Sequence, residues 1–80
     1  MTSVEIEYCV PCGHLNRAQD LQKEILSEFG LEIDSVSLKT GDNGVFKVRA
    51  DGDLIFDKSE EDFDKDDIVE RIRGEVSATA

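Results

Sequence analysis

Cys9 and Cys12 are the only two cysteines of the chain, and two residues separate them. Thiols at this spacing close a disulfide when the backbone turns between them. In thiol–disulfide exchange a thiolate is the nucleophile, and a second thiol resolves the mixed disulfide by attacking the first. Val10 and Pro11 restrict the intervening turn and keep it uncharged. His14 stands two residues after Cys12, and Arg17 lies one turn beyond it. His14 reads either as a helix-start residue facing solvent or as a group that shares a proton with Cys12. Arg17 reads either as a surface charge or as a cation that attracts the thiolate or a substrate carboxylate. Pro11, His14 and Arg17 are therefore candidate modulators of a Cys9/Cys12 site.

Other uses of two cysteines are weaker. A structural disulfide closing so short a loop removes little chain entropy. A zinc site on Cys9, Cys12 and His14 lacks a fourth ligand, and the chain has no further Cys or His. Zinc would need a carboxylate or a second chain. An iron–sulfur cluster normally takes four thiolates. The expectation is redox use with no metal and no cofactor.

The elements around the pair have recognisable patterns. Val4 to Tyr8 alternates apolar and acidic residues, as a half-buried strand does. Leu15, Ala18, Leu21, Ile25 and Phe29 recur at three- and four-residue steps, giving a helix one apolar stripe. Gly30 stands where a C-cap belongs. The helix is expected to begin near Pro11, which a first turn tolerates. That start would leave Cys9 exposed at a helix N-terminus, whose free N–H groups favour a thiolate, while the acidic surface opposes it.

Ile33 to Lys39 is a second strand, reached by a right-handed crossover and so parallel to the first. A loop over 40–44 comes close to the cysteines and shapes access to them. Val45 to Ala50 and Asp53 to Asp57 are strands joined by a two-residue Asp51-Gly52 hairpin. A regular register would put Phe46, Val48 and Ile55 on one face and Val45, Leu54 and Phe56 on the other. The second set forms a candidate partner surface. Lys47 and Arg49 would neutralise Glu5 and Glu7 on that open face. Residues 59–64 read as a solvated acidic linker. A last helix runs from about Lys65 to Glu75, with Asp64 as N-cap and Gly74 near its end.

The architecture implied is α/β, in the order β-α-β-β-β-α. It has a four-stranded mixed sheet with both helices on one face. Eighty residues make one domain, 1–80, with an ordered core of about 3–75 and a flexible tail over 76–80.

Nineteen acidic residues stand against nine basic ones, for a net charge of −10. Phosphate backbones and anionic membranes need the opposite sign, so neither nucleic acid nor membrane is an expected partner. The acidity reads as a solvated surface, as adaptation to a salt-rich cytoplasm, or as docking for a basic partner. No apolar run reaches membrane-spanning length, and the first residues lack a signal-peptide pattern. A cytoplasmic location is expected, as a monomer or weak dimer. Thiols there stay reduced, which favours redox use of the pair.

Three stretches together resemble the selenoprotein W-like (Rdx) family of thioredoxin-fold proteins. They are Val4-Glu5-Ile6-Glu7-Tyr8-Cys9-Val10-Pro11-Cys12-Gly13, then Thr40-Gly41-Asp42-Asn43-Gly44-Val45-Phe46-Lys47-Val48, then Asp51-Gly52-Asp53-Leu54-Ile55-Phe56-Asp57. The likeness spans Val4 to about Ile72. It implies a thioredoxin-like fold, a thiol oxidoreductase role for Cys9 and Cys12, and glutathione or thioredoxin-like proteins as partners. In several animal members selenocysteine occupies the position of Cys12. Position in the fold favours Cys9 as the attacking thiol, and the family pattern gives weight to Cys12. Lys47 departs from the acid that relatives often carry, and Phe56 stands where many have Trp. Pro11 is the only proline, so no cis-proline faces the motif as it does in thioredoxin.

Two functions of different class follow. One is a thiol–disulfide oxidoreductase or redox-regulatory protein. The other is a non-enzymatic redox-sensing module whose cysteine state gates partner binding, with a zinc-linked dimer as a distant third.

Overall fold

The computed structural model describes residues 2–79, and side chains over 2–76. The elements are β1 (Thr2–Cys9), α1 (Leu15–Phe29), a 3₁₀ turn (Gly30–Glu32), β2 (Ile33–Gly41), β3 (Phe46–Ala50), β4 (Asp53–Asp57) and α2 (Lys65–Thr79). The sheet order is β2-β1-β3-β4. β1 pairs parallel with β2 and antiparallel with β3, and β3 pairs antiparallel with β4. This is the four-stranded mixed sheet that the patterning implies.

One face of the sheet supplies Val4, Ile6, Tyr8, Val36, Phe46, Val48 and Phe56 to the core. Helix α1 adds Ala18, Leu21, Ile25 and Phe29, and α2 adds Ile68, Val69 and Ile72. The helical stripe begins at Ala18, because Leu15 is 43% exposed. The other face carries the charges. Across β1 and β3, Glu5 lies opposite Arg49 and Glu7 opposite Lys47. Arg49 reaches diagonally to Glu7 at 3.3 Å, and Lys39 lies 4.0 Å from Glu5. Of the two expected cations, Arg49 thus neutralises Glu7, whereas Glu5 is met by Lys39 of β2.

The Asp51-Gly52 hairpin forms with positive φ at both residues and pairs Ala50 with Asp53. Its tip is tied to β1, since Ser3 N–H donates to the Asp51 carboxylate at 2.9 Å. Beyond Ala50 the register departs from the regular one. Arg49 pairs with Leu54 but Val48 pairs with Phe56, leaving Ile55 as the extra residue of a β-bulge. The bulge turns Phe56 into the core while Leu54 stays outside.

Helix α2 begins as expected, with the Asp64 carboxylate accepting from Asp67 N–H at 3.2 Å. It does not stop near Glu75. It runs through Gly74 to Thr79, and Val76 packs against the core. A mid-helix glycine costs about 1 kcal/mol relative to alanine, which apolar packing on both sides of it offsets. Ala80, the last residue of the expected tail, lies outside the described residues. Among the described residues no helix is long and apolar enough to cross a membrane.

Candidate redox site

Strand β1 carries its chain directly into the site. Cys9 is its last residue and pairs with Gly41, the last residue of β2. Val10 N–H then donates to the Gly41 carbonyl at 3.1 Å, so the chain stays paired with β2 one residue longer. Val10 to Gly13 form a tight turn, closed by Gly13 N–H donating to the Val10 carbonyl at 3.1 Å. Pro11 occupies the second position, where its fixed φ suits such a turn. Gly13 has φ +78°, a left-handed conformation that costs glycine nothing.

The left-handed residue is also why the helix begins later than Pro11. No helical turn passes through φ +78°, so α1 starts at Leu15 with His14 as N-cap. The cysteine pair therefore sits in the connection ahead of the helix, not in its first turn. His14 N–H bonds back to the Cys9 carbonyl at 3.3 Å and wraps the turn shut.

Cys9 and Cys12 form a disulfide across this turn, with Cα atoms 5.3 Å apart, well inside the usual range. Their environments differ sharply. Cys9 is fully buried at 0% exposure, whereas Cys12 is exposed. The expectation of an exposed Cys9 is overturned, because Cys9 belongs to the sheet and only the turn reaches solvent. Uncharged exposed residues surround Cys12: Val10 (49%), Pro11, Gly13 and Leu15.

Gly41 makes the approach of the two chain segments possible. A side chain there would place its Cβ 2.6 Å from Val45 Cγ1 and 3.2 Å from the Glu7 carboxylate. The loop that follows Gly41 thus lies beside the cysteine turn, as its sequence position suggests.

His14 is not the solvent-facing residue of the simpler reading. Its ring sits edge-on to Phe46 with centroids 6.2 Å apart. Nδ1 is buried and has no hydrogen-bond partner among the described residues. A buried polar atom left unpaired costs roughly 1–3 kcal/mol, so its position calls for a reason.

Arg17 is drawn elsewhere. Its guanidinium lies over the Phe63 ring, 4.7 Å from the centroid. Phe63 was hidden in the acidic linker. It packs edge-on against both Phe46 and Phe56, at 5.3 and 6.1 Å. The one sequence signal was a lone aromatic residue inside a charged run. Together Arg17, Asp20, Phe63 and Lys65 line an open cavity of about 360 Å³.

The candidate partner surface of Val45, Leu54 and Phe56 does not assemble. Phe56 is buried at 2%, Val45 is half-buried against Gly41, and Leu54 alone is well exposed at 50%. The bulge at Ile55 separates Phe56 from the other two. Among the described residues no three His, Cys, Asp or Glu side chains converge as a metal site.

The model of the Rdx family matches residues 3–74. The crystal structure of a Bordetella parapertussis protein superposes with a TM-score of 0.89 at 30% identity, covering 92% of this chain and 96% of that one. A selenoprotein W-related protein from Vibrio cholerae also superposes with a TM-score of 0.89. It shares 26% identity and covers 94% of this chain and 96% of that one. No match is found among curated proteins.

Proposed function

We propose that this chain, which belongs to the Rdx family, is a thiol–disulfide oxidoreductase that partners enter through Cys12. The observation that carries this reading is the asymmetry of the pair. Cys12 is exposed and Cys9 is wholly buried, so an incoming sulfur has access to one of them. In the reductive direction a partner thiolate attacks Cys12 Sγ. A bond forms between the partner sulfur and Cys12, the Cys9–Cys12 bond breaks, and its electron pair leaves on Cys9 Sγ. In the oxidative direction Cys12 attacks a partner disulfide, and Cys9 then displaces the partner to restore the internal bond.

Glutathione and thioredoxin-like proteins in a reducing cytoplasm are the partners that suit this chemistry. The exposed apolar flanks Val10 and Leu15 favour a protein partner that seats against the turn. The same flanks support the second reading, a redox-sensing module whose partner binding depends on the state of the pair. Turnover of a disulfide substrate supports the enzyme; redox-dependent binding without turnover supports the module.

Single-cysteine variants test the entry point. Cys9→Ser is expected to form a stable mixed disulfide with glutathione at Cys12. Cys12→Ser is expected to form one at least tenfold more slowly, read by intact-mass spectrometry. Equal trapping in both variants would remove Cys12 from its assigned role.

A further inference from the structure

We propose that the Glu7 carboxylate is the proton acceptor for Cys9 when the pair closes. This rests on the reading above, in which Cys12 receives the partner and Cys9 resolves it. Strand β1 decides which groups Cys9 can meet, because successive side chains of a strand point to opposite faces. Val4, Ile6 and Tyr8 face the core, so Glu5, Glu7 and Cys9 share the other face. The His14 ring stands against Phe46, on the core side. Cys9 is at 0% exposure without belonging to the core cluster. It is enclosed on the face that carries the charges.

Gly41, directly across from Cys9 in β2, locates its surroundings. A Cβ at Gly41 would point to the same face as the Cys9 side chain. That point lies 2.6 Å from Val45 Cγ1 and 3.2 Å from Glu7 Oε2. Neighbouring strands run about 4.8 Å apart, so the Cys9 Cβ lies about 5 Å from the same point. Glu7 Oε2 is therefore within about 8 Å of the Cys9 Cβ. The Cys9 S–H and one water, or a turn of the Glu7 side chain, close that gap. Arg49 keeps the carboxylate so oriented: its Nη1 meets Oε1 at 3.3 Å, while Oε2 is the oxygen toward Gly41.

Closure needs a base at this place. Solvent does not reach the Cys9 sulfur freely, whereas the Glu7 side chain is 22% exposed. Glu7 thus borders both the enclosed sulfur and water. The other charged groups of this face do not serve. Lys39 and Lys47 lie across from Glu7 in β2 and β3, and Arg49 pairs with it; all three are cations. Glu5 is two residues farther along the strand and is met by Lys39 at 4.0 Å. Asp42 is exposed and accepts from the Asn43 amide at 3.2 Å.

The step balances as follows. The Cys9 S–H proton moves to a Glu7 carboxylate oxygen. The Cys9 thiolate attacks Cys12 Sγ of the mixed disulfide, and the Cys9–Cys12 bond forms. The bond from Cys12 to the partner sulfur breaks, and the partner leaves as a thiolate with the electron pair. Glu7 then passes the proton to solvent. In the reverse direction Glu7 delivers a proton to Cys9 as it is expelled.

The test is stopped-flow reaction of the reduced full-length protein with Ellman's disulfide. The wild type is expected to release two equivalents of chromophoric thiol in two phases. Attack by Cys12 comes first and quickens with reagent concentration; closure by Cys9 follows and does not. Glu7→Gln keeps the shape and an oxygen for Arg49 but removes the base. It is expected to leave the first phase unchanged and slow the second by about 100-fold. Its residual closure is expected to rise with pH more steeply than that of the wild type between about pH 6 and 8, because hydroxide replaces the carboxylate. Glu7→Asp retains a carboxylate and is expected to close at least tenfold faster than Glu7→Gln. A negative charge acting only by repulsion would oppose a Cys9 thiolate, so closure in Glu7→Gln at or above the wild-type rate overturns the proposal. So does Glu7→Asp closing as slowly as Glu7→Gln, which marks a packing role. A wild type that carries adducts on both cysteines without closing overturns the redox reading itself, and this one with it.

Discussion

Leu54 and Phe56 stand two residues apart in β4, and in a regular strand they would share a face. One bulge residue, Ile55, sends Phe56 into the core at 2% exposure and leaves Leu54 at 50%. The energetic consequence is large and local. Phe56→Ala removes a ring packed against Phe46 and Phe63 and is expected to cost about 3–5 kcal/mol. Leu54→Ala is expected to stay within about 0.5 kcal/mol of the wild type. Urea midpoints of the two variants check this, and equal losses would return the hairpin to the regular register. The same residue-level logic governs the site. Cys9 ends a strand and is sealed by it, whereas Cys12 lies on a turn that Gly13 and Pro11 shape.

Among the elements, the segment between β4 and α2 is tied to both of them through Arg71. Arg71 of α2 makes two bonds to the Glu61 carboxylate, at 2.7 and 2.6 Å, and one to the Ile55 carbonyl at 2.9 Å. It also meets Asp67 at 2.7 Å. The linker is thereby fixed where Phe63 covers Phe46 and Phe56. The bond to Ile55 also occupies a carbonyl of β4, an edge strand. At the opposite edge Gln22 of α1 does the same for Val36 of β2, at 2.7 Å. Both edges thus carry a helix side chain that blunts pairing with another chain.

The Arg71 hydrogen bonds hold the Glu61 carboxyl below its ordinary value of 4.5. A carboxyl whose folded pKa is depressed contributes stability above its unfolded value and loses it as pH falls through the folded value. Arg71→Met is therefore expected to be less stable than the wild type at neutral pH. The gap should narrow as pH falls below about 4.5, where Glu61 protonates in the unfolded chain and then in the folded one. Urea midpoints of both proteins across that range read it, and a gap independent of pH would remove the ionic contribution. Asp57 follows the same sign, because the Ser59 hydroxyl and N–H hold its carboxyl below the usual range.

At the scale of the molecule the charge of −10 dominates. The longest dimension is 36 Å. The Debye length is about 30 Å at 0.01 M salt and about 3 Å at 1 M. In dilute buffer nearly every acidic group repels every other, and at 1 M only close neighbours interact. The folded state is expected to gain stability steadily as potassium chloride rises from about 0.01 to 1 M. Thermal midpoints read this. A midpoint that is flat across the series would show that the pairs Arg71–Glu61, Arg73–Glu28 and Arg49–Glu7 already compensate the excess.

The sequence by itself determined the order of the elements, the mixed sheet, the core stripe of α1, the Asp51-Gly52 hairpin, the Asp64 cap and the cysteine pair. Each rests on local periodicity or on a residue type whose backbone preference acts within a few positions. The tertiary structure alone decided four other matters. A bulge placed Phe56 inside, because filling the space beside Phe46 outweighs regular pairing. Phe63 left its acidic surroundings for the same cluster, which no period in the linker announces. Gly13 took a left-handed conformation and delayed α1, so the pair lies ahead of the helix. The last concerns the cysteines themselves. Their spacing shows that they meet, but burial comes from strands and helices remote in sequence. Only packing made Cys9 the enclosed sulfur, Cys12 the open one, and His14 a ring set edge-on to Phe46.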